Sequence, residues 1–320
     1  MALFLSEEDV QQLLPMPQAL ECIEASFTEQ HAGAAINRAR ERIFLPGLSF
    51  HYMAGAMVDE QLLGMKVYTV ASGQARFLVL LFDTQSGDLL ALMEADHLGR
   101  IRTGAASGVA TKYLARAGAS RVALIGSGRQ ARTQLEAVAA VRPVKEVRVF
   151  SRDEARRKEF CRKMAERLEL AVEPAASPEQ AARFGEIVIT ATNSRDPVLK
   201  GEWLSPGVHV NAVGANISTR REIDEAVLNR AKIIAVDSLD QARSEAGDLI
   251  QGFAALHRSW DSVVELHDII QESKPGRTSD EEITIFKSCG IAIWDVTAAG
   301  HVYRQALQKG KGSTLNIWQT

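Results

Sequence analysis

The stretch RVALIGSGRQA, Arg121 to Ala131, runs an apolar strand straight into a Gly-x-Gly turn and the start of a helix. Such a junction suits a dinucleotide. Gly126 permits the tight reversal, and Gly128 lets backbone N–H groups approach a pyrophosphate seated on the positive end of the following helix. Ala131 takes the third position, where a small residue lets helix and strand pack closely. Ser127, Arg129 and Gln130 complete the turn and belong to the expected cofactor contacts. A lone Gly-x-Gly-x-x-Ala also occurs in turns that hold no ligand. Here the context strengthens it, because ARTQLEAVAAV continues as a helix and EVRVF, Glu146 to Phe150, reads as the next strand.

The residues after that second strand bear on which dinucleotide is bound. An NAD site usually places Asp or Glu there to accept from the ribose 2′-hydroxyl. This chain has Ser151 and Arg152, with Arg156 and Arg157 a turn later. A hydroxyl and a guanidinium fork suit a 2′-phosphate, which favours NADPH while leaving NADH open. SRDEARRKEF has a second reading as an ordinary helix start, with Ser151 as N-cap and the arginines on a solvated face.

Strands and helices alternate from Arg121 onward, with further strands at EIVIT, VHVNAVG and KIIAV. That alternation implies an α/β fold with a Rossmann-type, doubly wound parallel sheet. The preceding part differs. Residues 6 to about 30 are helical, broken by Pro15 and Pro17, with Ser6 and Asp9 as a helix cap. From Arg42 to Glu94 the chain reads as short strands, RIFL, FHYMAGAM, LLGMKVYTV, FLVLLFD and LLALME, the last two joined by the hairpin turn DTQSGD. A helix rich in small residues follows from about His97 to Ala117. A last Ala-rich helix, Ile291 to Lys309, is expected to return to the first domain. The expected division is therefore a second α+β domain from residues 1–117 and 295–320, and a dinucleotide domain over 118–294. ESKPGRTSDEE, Glu272 to Glu282, reads as the longest loose stretch.

Composition agrees with a two-domain α/β enzyme. The chain has 320 residues, 46% of them hydrophobic, and a formal net charge of −3. That balance gives no electrostatic case for nucleic acid or an anionic membrane. The start, MALFLSEEDVQQLL, has neither a basic region nor a long apolar core, so no signal peptide or transmembrane span is expected. Cys22, Cys161 and Cys289 share no metal-ligand spacing and read as reduced, buried thiols of a cytoplasmic protein. The histidines, His51, His97 and His209 among them, show no ligand spacing either, so no metal is expected. His97 reads as a capping or core residue.

Several motifs resemble the ornithine cyclodeaminase/μ-crystallin family over nearly the whole chain. They are GMKVYTV around Lys66, IRTGAASGVATKYLAR from Ile101, IGSGRQARTQLEAV, TATNSRDPVL, VNAVGANISTRREID and TIFKSCGIAIWD. The resemblance implies homodimers whose non-Rossmann domain supplies the substrate pocket and the dimer contact. It also implies nicotinamide chemistry on small α-amino acids or cyclic imines.

Hydride transfer to an α-imino acid needs a carboxylate clamp, a proton donor near nitrogen and an enclosed nicotinamide. Arg40, Lys66 and Arg102 suit the clamp because each sits among apolar or small residues, where a charge is costly unless paired. The resemblance matches Lys66 and Arg102 to positions that contact the substrate carboxylate. Arg40 is a looser match, with Arg38 and Arg42 competing. A desolvated Lys66 beside Arg102 should have a lowered pKa and could donate a proton. The apolar wall is expected near Met53. Asp295 also matches a family position, either as a cap of the last helix or as a substrate contact.

Asn216 is a departure. Relatives that oxidise ornithine or alanine carry aspartate at this position of VNAVGAN, and an amide cannot act as that base. The substitution favours imine reduction, in which the ring nitrogen gains a proton. A turn-forming role after Gly214 is the other reading. Thr190, Ala191, Thr192 and Asn193 should line the cofactor at a strand's carboxyl edge, with Val213, Gly214, Lys287, Ser288 and Thr103 also assigned to it. The expected activity is reduction of pyrroline-2-carboxylate to proline or piperideine-2-carboxylate to pipecolate. Ornithine cyclodeamination or alanine dehydrogenation is the alternative within enzymes. An NADPH-regulated binding protein is the alternative outside them.

Overall fold

The computed structural model describes residues 2–318. The chain divides into two compact units, Met1–Ala105 together with Ile291–Thr320, and Ala106–Gly290. The first unit opens with β1 (Ala2–Leu5), α1 (Glu7–Leu13), α2 (Met16–His31), β2 (Ala35–Asn37), β3 (Glu41–Leu45), β4 (Leu48–Met57), β5 (Leu62–Ala71), β6 (Gln74–Asp83), β7 (Leu89–Glu94) and α3 (Asp96–Leu114). The cap read at Ser6 is present: its hydroxyl accepts from Asp9 N, and Asp9 accepts from Ser6 N at 3.1 Å. The hairpin read at DTQSGD also forms. Asp83 Oδ1 accepts from the amides of Gln85 and Ser86 at 2.8 Å and turns β6 into antiparallel β7. His97 does not cap α3; Glu7 does, accepting from the amides of Asp96 and His97.

The second unit continues with β8 (Arg121–Ile125), α4 (Arg129–Val141), β9 (Glu146–Phe150), α5 (Glu154–Leu168), β10 (Ala171–Pro174), α6 (Pro178–Phe184), β11 (Ile187–Thr190), β12 (His209–Ala212), α7 (Glu225–Arg230), β13 (Ala231–Val236), α8 (Leu239–Glu245), α9 (Gly247–Leu256), β14 (Val263–Glu265), α10 (Leu266–Ile270) and β15 (Ile283–Lys287). These strands form one sheet in the order β10-β9-β8-β11-β12-β15-β13-β14, with every pair parallel. Alternate residues supply two cores. Val122 and Leu124 join Leu135, Val138 and Phe160 on one face. Ala123 and Ile125 join Val210, Val227, Leu249 and Phe253 on the other. Two buried faces make the sheet doubly wound, as the alternating sequence required.

The chain then returns to the first unit with α11 (Ala292–Lys309) and β16 (Ser313–Leu315). The sheet there runs β16-β1-β7-β6-β5-β4-β2, with β3 also on β4. Helix α11 packs on β4, β5 and β6. The boundaries expected after 117 and 294 differ from this division. The first compact unit ends inside α3, where the sequence offers no break, and it resumes ahead of α11. The sequence patterns do not foretell β1, β2, β10, β14, β15 or β16; apart from β15 these strands have three or four residues and lie at or next to the ends of their sheets. Cys22, Cys161 and Cys289 form no disulfide among the described residues; Cys161 and Cys289 are buried as expected, whereas Cys22 is half-buried, and burial pushes Cys22 up to about 12 and Cys161 to about 11. Among the described residues no helix is long and apolar enough to cross a membrane.

Candidate active site

In the first unit, antiparallel register places Met53, Lys66, Val79 and Met93 side by side across β4, β5, β6 and β7. Because side chains alternate along a strand, Leu62, Gly64 and Lys66 point to the buried face while Leu63 and Met65 point away. Lys66 therefore reaches the space under α3 and α11. Its Nζ lies 3.0 Å from Asp295 Oδ1 on α11. Arg102, on α3, grips the same carboxylate with both arms, Nε to Oδ1 at 3.0 Å and Nη2 to Oδ2 at 2.9 Å. All three are nearly sealed from solvent, at 5%, 3% and 1% exposure for Lys66, Arg102 and Asp295.

Arg40 is buried too, with Nη2 3.7 Å from Met53 Sδ, whereas Arg38 is exposed and Arg42 half-buried. Burial thus separates three arginines that the sequence left in competition. Asp295 does not cap α11. Residue Ile291 holds the cap position, and Asn37 Oδ1 accepts from Ala292 N at 2.8 Å.

Burial is the largest influence on the Lys66 ammonium and brings it down to about 8, with Arg102 and Arg40 adding to the fall and Asp295 opposing it. Burial tends to raise Asp295, but Arg102 and Lys66 outweigh it and hold the carboxyl below its usual range. Lys66 and Arg102 together carry one more charge than Asp295 neutralises, and Arg40 adds to the repulsion on Lys66. Arg102 Nη1 is buried without a hydrogen-bond partner among the described residues. A buried excess of positive charge is costly until an anion arrives, so the cluster suits a carboxylate. Helix α3 packs tightly on it: a Cβ at Gly99 would lie 2.7 Å from Lys66 Nζ. Thr103 lies in the same unit, and its hydroxyl donates to Gly99 O one turn back at 2.8 Å.

In the second unit, β8 leads through Gly126, Ser127 and Gly128 into α4. Gly126 has φ +115°, and a Cβ there would lie 2.4 Å from Ala191 O, so only glycine fits. Gly128 is the N-cap of α4 with no side-chain cap, and nothing lies within 4 Å of where its Cβ would be. Open amides at the start of a 13-residue helix, beside the point where strand order reverses between β8 and β11, fit a pyrophosphate. Arg129 is exposed, Gln130 half-buried, and Ala131 packs into the core.

At the end of β9, Ser127 Oγ donates to Ser151 Oγ at 2.8 Å. Ser151 is not the cap of α5. Asp153 is, accepting from Arg156 N at 3.0 Å and pairing with Arg156 Nε at 3.2 Å. Arg156 is thereby engaged, Arg152 is exposed, and Arg157 stacks over Phe150 at 5.3 Å.

The polar residues assigned to the cofactor at β11 and β15 have internal partners. Thr190 and Thr192 hydroxyls donate to Glu222, at 2.9 and 2.7 Å. Ser288 donates to Asp237 at 3.0 Å. Lys287, fully buried, pairs with Asp248 at 2.8 Å. Burial alone would lower the Lys287 ammonium, but Asp248 and Glu222 hold it well above its usual value. Glu222 escaped the sequence reading because TRREID looks like a solvated charge run, and spacing gives no sign that one member is buried; Asp248, at the start of α9, reads as an ordinary acid in a helix's first turn. Asn216 lies half-buried beyond β12, and its φ is not positive. Its backbone therefore makes no demand for an asparagine. Val213 and Gly214, just before it, are half-buried.

Comparison with known proteins places these sites in context. The ornithine cyclodeaminase/mu-crystallin family model matches residues 1–310. The Δ1-pyrroline-2-carboxylate reductase of Bacillus cereus is 38% identical over 263 residues, 80% of this chain and 81% of its own. The solved structure of Thermococcus litoralis Δ1-pyrroline-2-carboxylate reductase in complex with NADH and L-proline has a TM-score of 0.94 at 34% identity, covering 98% of this chain and 100% of that one. An archaeal alanine dehydrogenase dimer with bound NAD reaches 0.93 at 33% identity, covering 99% of each chain.

Proposed function

Since this chain belongs to the ornithine cyclodeaminase/mu-crystallin family, we propose that it is a nicotinamide-dependent reductase of a small cyclic ketimine acid, with pyrroline-2-carboxylate and piperideine-2-carboxylate as substrates. The observation that carries this reading is the buried Lys66–Asp295–Arg102 cluster with its uncompensated positive charge. The substrate carboxylate supplies the missing anion, held by Arg102 Nη1 and the Arg40 guanidinium beside the Met53 wall. Asp295 leaves Arg102 only one end to offer, so the grip on that side is single rather than forked. The nicotinamide supplies a hydride to C2 when bound. Lys66 supplies the proton that the ring nitrogen needs, and its lowered pKa makes that transfer favourable near neutral pH. Asn216 offers an amide where oxidation would need a base, which favours reduction over ornithine or alanine oxidation.

The preferred cofactor is NADPH. Ser151 and the exposed Arg152 stand at the end of β9, and Asp153, the nearest acid in sequence, is occupied by the α5 cap and Arg156. NADH, held by the Thermococcus litoralis relative, is the competing cofactor.

The protein acts as a homodimer, in keeping with the dimer of the archaeal alanine dehydrogenase relative. One face of the first unit's sheet packs on α11, while Leu63, Met65 and Leu78 on the other remain 45%, 37% and 36% exposed. An apolar sheet face of this kind is best covered by a second copy.

The test follows absorbance of NADPH and NADH with pyrroline-2-carboxylate and piperideine-2-carboxylate, against ornithine and alanine with NAD. Rapid imine-dependent oxidation of the reduced cofactor is expected. Ammonia release from ornithine or alanine as the faster reaction would overturn the reading.

A further inference from the structure

We propose that Glu222 is the positioning residue that holds two turns of the second unit, Thr190–Asn193 after β11 and Val213–Asn216 after β12, in the arrangement that receives the nicotinamide cofactor. The inference rests on the reading that this unit binds the dinucleotide at the carboxyl ends of its strands. Glu222 is fully buried, and all its acceptor capacity is used. Oε1 accepts from Thr192 N at 2.6 Å and Thr192 Oγ1 at 2.7 Å. Oε2 accepts from Gly214 N at 2.6 Å and Thr190 Oγ1 at 2.9 Å. A single carboxylate thus spans the ends of two neighbouring strands. Gly214 is required at that junction, since a Cβ would fall 2.4 Å from Glu222 Oε1 and 2.2 Å from Thr192 O.

Glu222 is itself fixed from below. Asp248 Oδ1 accepts from the amides of Glu222 and Ile223, at 2.5 and 3.0 Å. Asp248 Oδ2 pairs with Lys287 Nζ, which also donates to Ala215 O at 2.5 Å. The brace therefore reaches from β15 through β12 to β11. It ends on backbone that runs directly into Asn216 on one side and lies against Gly126 on the other.

Chemistry makes the carboxylate hard to replace. Each oxygen faces one backbone N–H, and a backbone donor cannot turn round as a hydroxyl can. Glutamine has the same shape but one acceptor end only. Whichever way its amide points, its NH₂ meets the N–H of Thr192 or of Gly214, and that turn must withdraw. Thr190 offers a cleaner probe. Its side chain is fully buried, so its hydroxyl reaches the cofactor only through Glu222.

The experiment titrates NADH and NADPH by fluorescence into the wild-type protein, Glu222→Gln and Thr190→Val, and measures imine KM at saturating cofactor. The expected result for Glu222→Gln is a cofactor Kd raised about tenfold or more, with imine KM within about twofold, since the carboxylate cluster lies elsewhere. Thr190→Val, an isosteric and strand-compatible change, should raise the cofactor Kd about threefold and keep the fold if Glu222→Gln does not. Unchanged cofactor affinity in Thr190→Val and in a folded Glu222→Gln overturns the inference alone. So does an equal rise in cofactor Kd and imine KM. Failure of the wild-type protein to bind either cofactor overturns the underlying reading and this inference with it.

Discussion

Lys66 is a buried ammonium whose pKa of about 8 lies within reach of ordinary assay conditions. If it donates the proton, imine reduction should hold below that value and fall as pH rises through it. Stability moves the other way for this group. Its folded pKa is below its usual 10.5, so the burial cost is present in full below about 8 and relieved as pH climbs towards 10.5. Loss of rate in that window with the melting curve intact would therefore report on chemistry. Asp295→Asn removes the influence that holds the pKa up and should move the fall to lower pH. Lys66→Arg keeps the charge but not a transferable proton, and should cost about 10²-fold or more in kcat; full turnover in that variant would falsify the assignment. Gly99→Ala separates function from fold. Alanine is about 1 kcal/mol better than glycine in a helix interior, yet its Cβ would crowd Lys66 Nζ. Melting temperature should hold or rise while turnover drops.

At the scale of elements, the turn between β8 and α4 was legible from glycine spacing alone, because a φ of +115° against Ala191 O leaves no other residue possible there. The end of β9 was legible in kind but not in detail. Ser151 and Asp153 are both competent N-caps, and only in the folded chain is it plain that Asp153 caps α5 while Ser151 meets Ser127. Cofactor choice should follow that geometry. Ser151→Asp should swing kcat/KM towards NADH by about tenfold or more, and Arg152→Ala should weaken NADPH more than NADH; equal effects on both cofactors would remove the phosphate argument. The last strands were less legible. β15 is buried at every position, yet its sequence ends in lysine, and a charge at the foot of an apolar run reads as a surface until Asp248 is seen beside it.

For the molecule as a whole, the α/β class and the return of the last helix to the first unit could be read from the order of strand and helix patterns. The division point could not, because α3 is uninterrupted in sequence and only packing divides it. The same limit applies to assembly. The alternation along β5 shows which side chains share a face, but both faces are apolar and the sequence does not say which one α11 covers. With the outward face identified, Met65→Glu should convert a dimer to monomer in analytical ultracentrifugation, leaving the secondary structure unchanged. A monomeric wild-type protein, or a variant of unaltered mass, would discard the second-copy proposal.

The first unit is closed by a segment that lies beyond the whole of the second in the chain. During synthesis Lys66 and Arg102 leave the ribosome long before Asp295, the carboxylate that both of them need, while Ala106–Gly290 emerges as one unbroken piece. The second unit can mature while the ribosome is still at work, but the first has to wait for α11. A ribosome that stalls late would release a chain with two unneutralised cations and an open sheet, a natural substrate for chaperones and proteases.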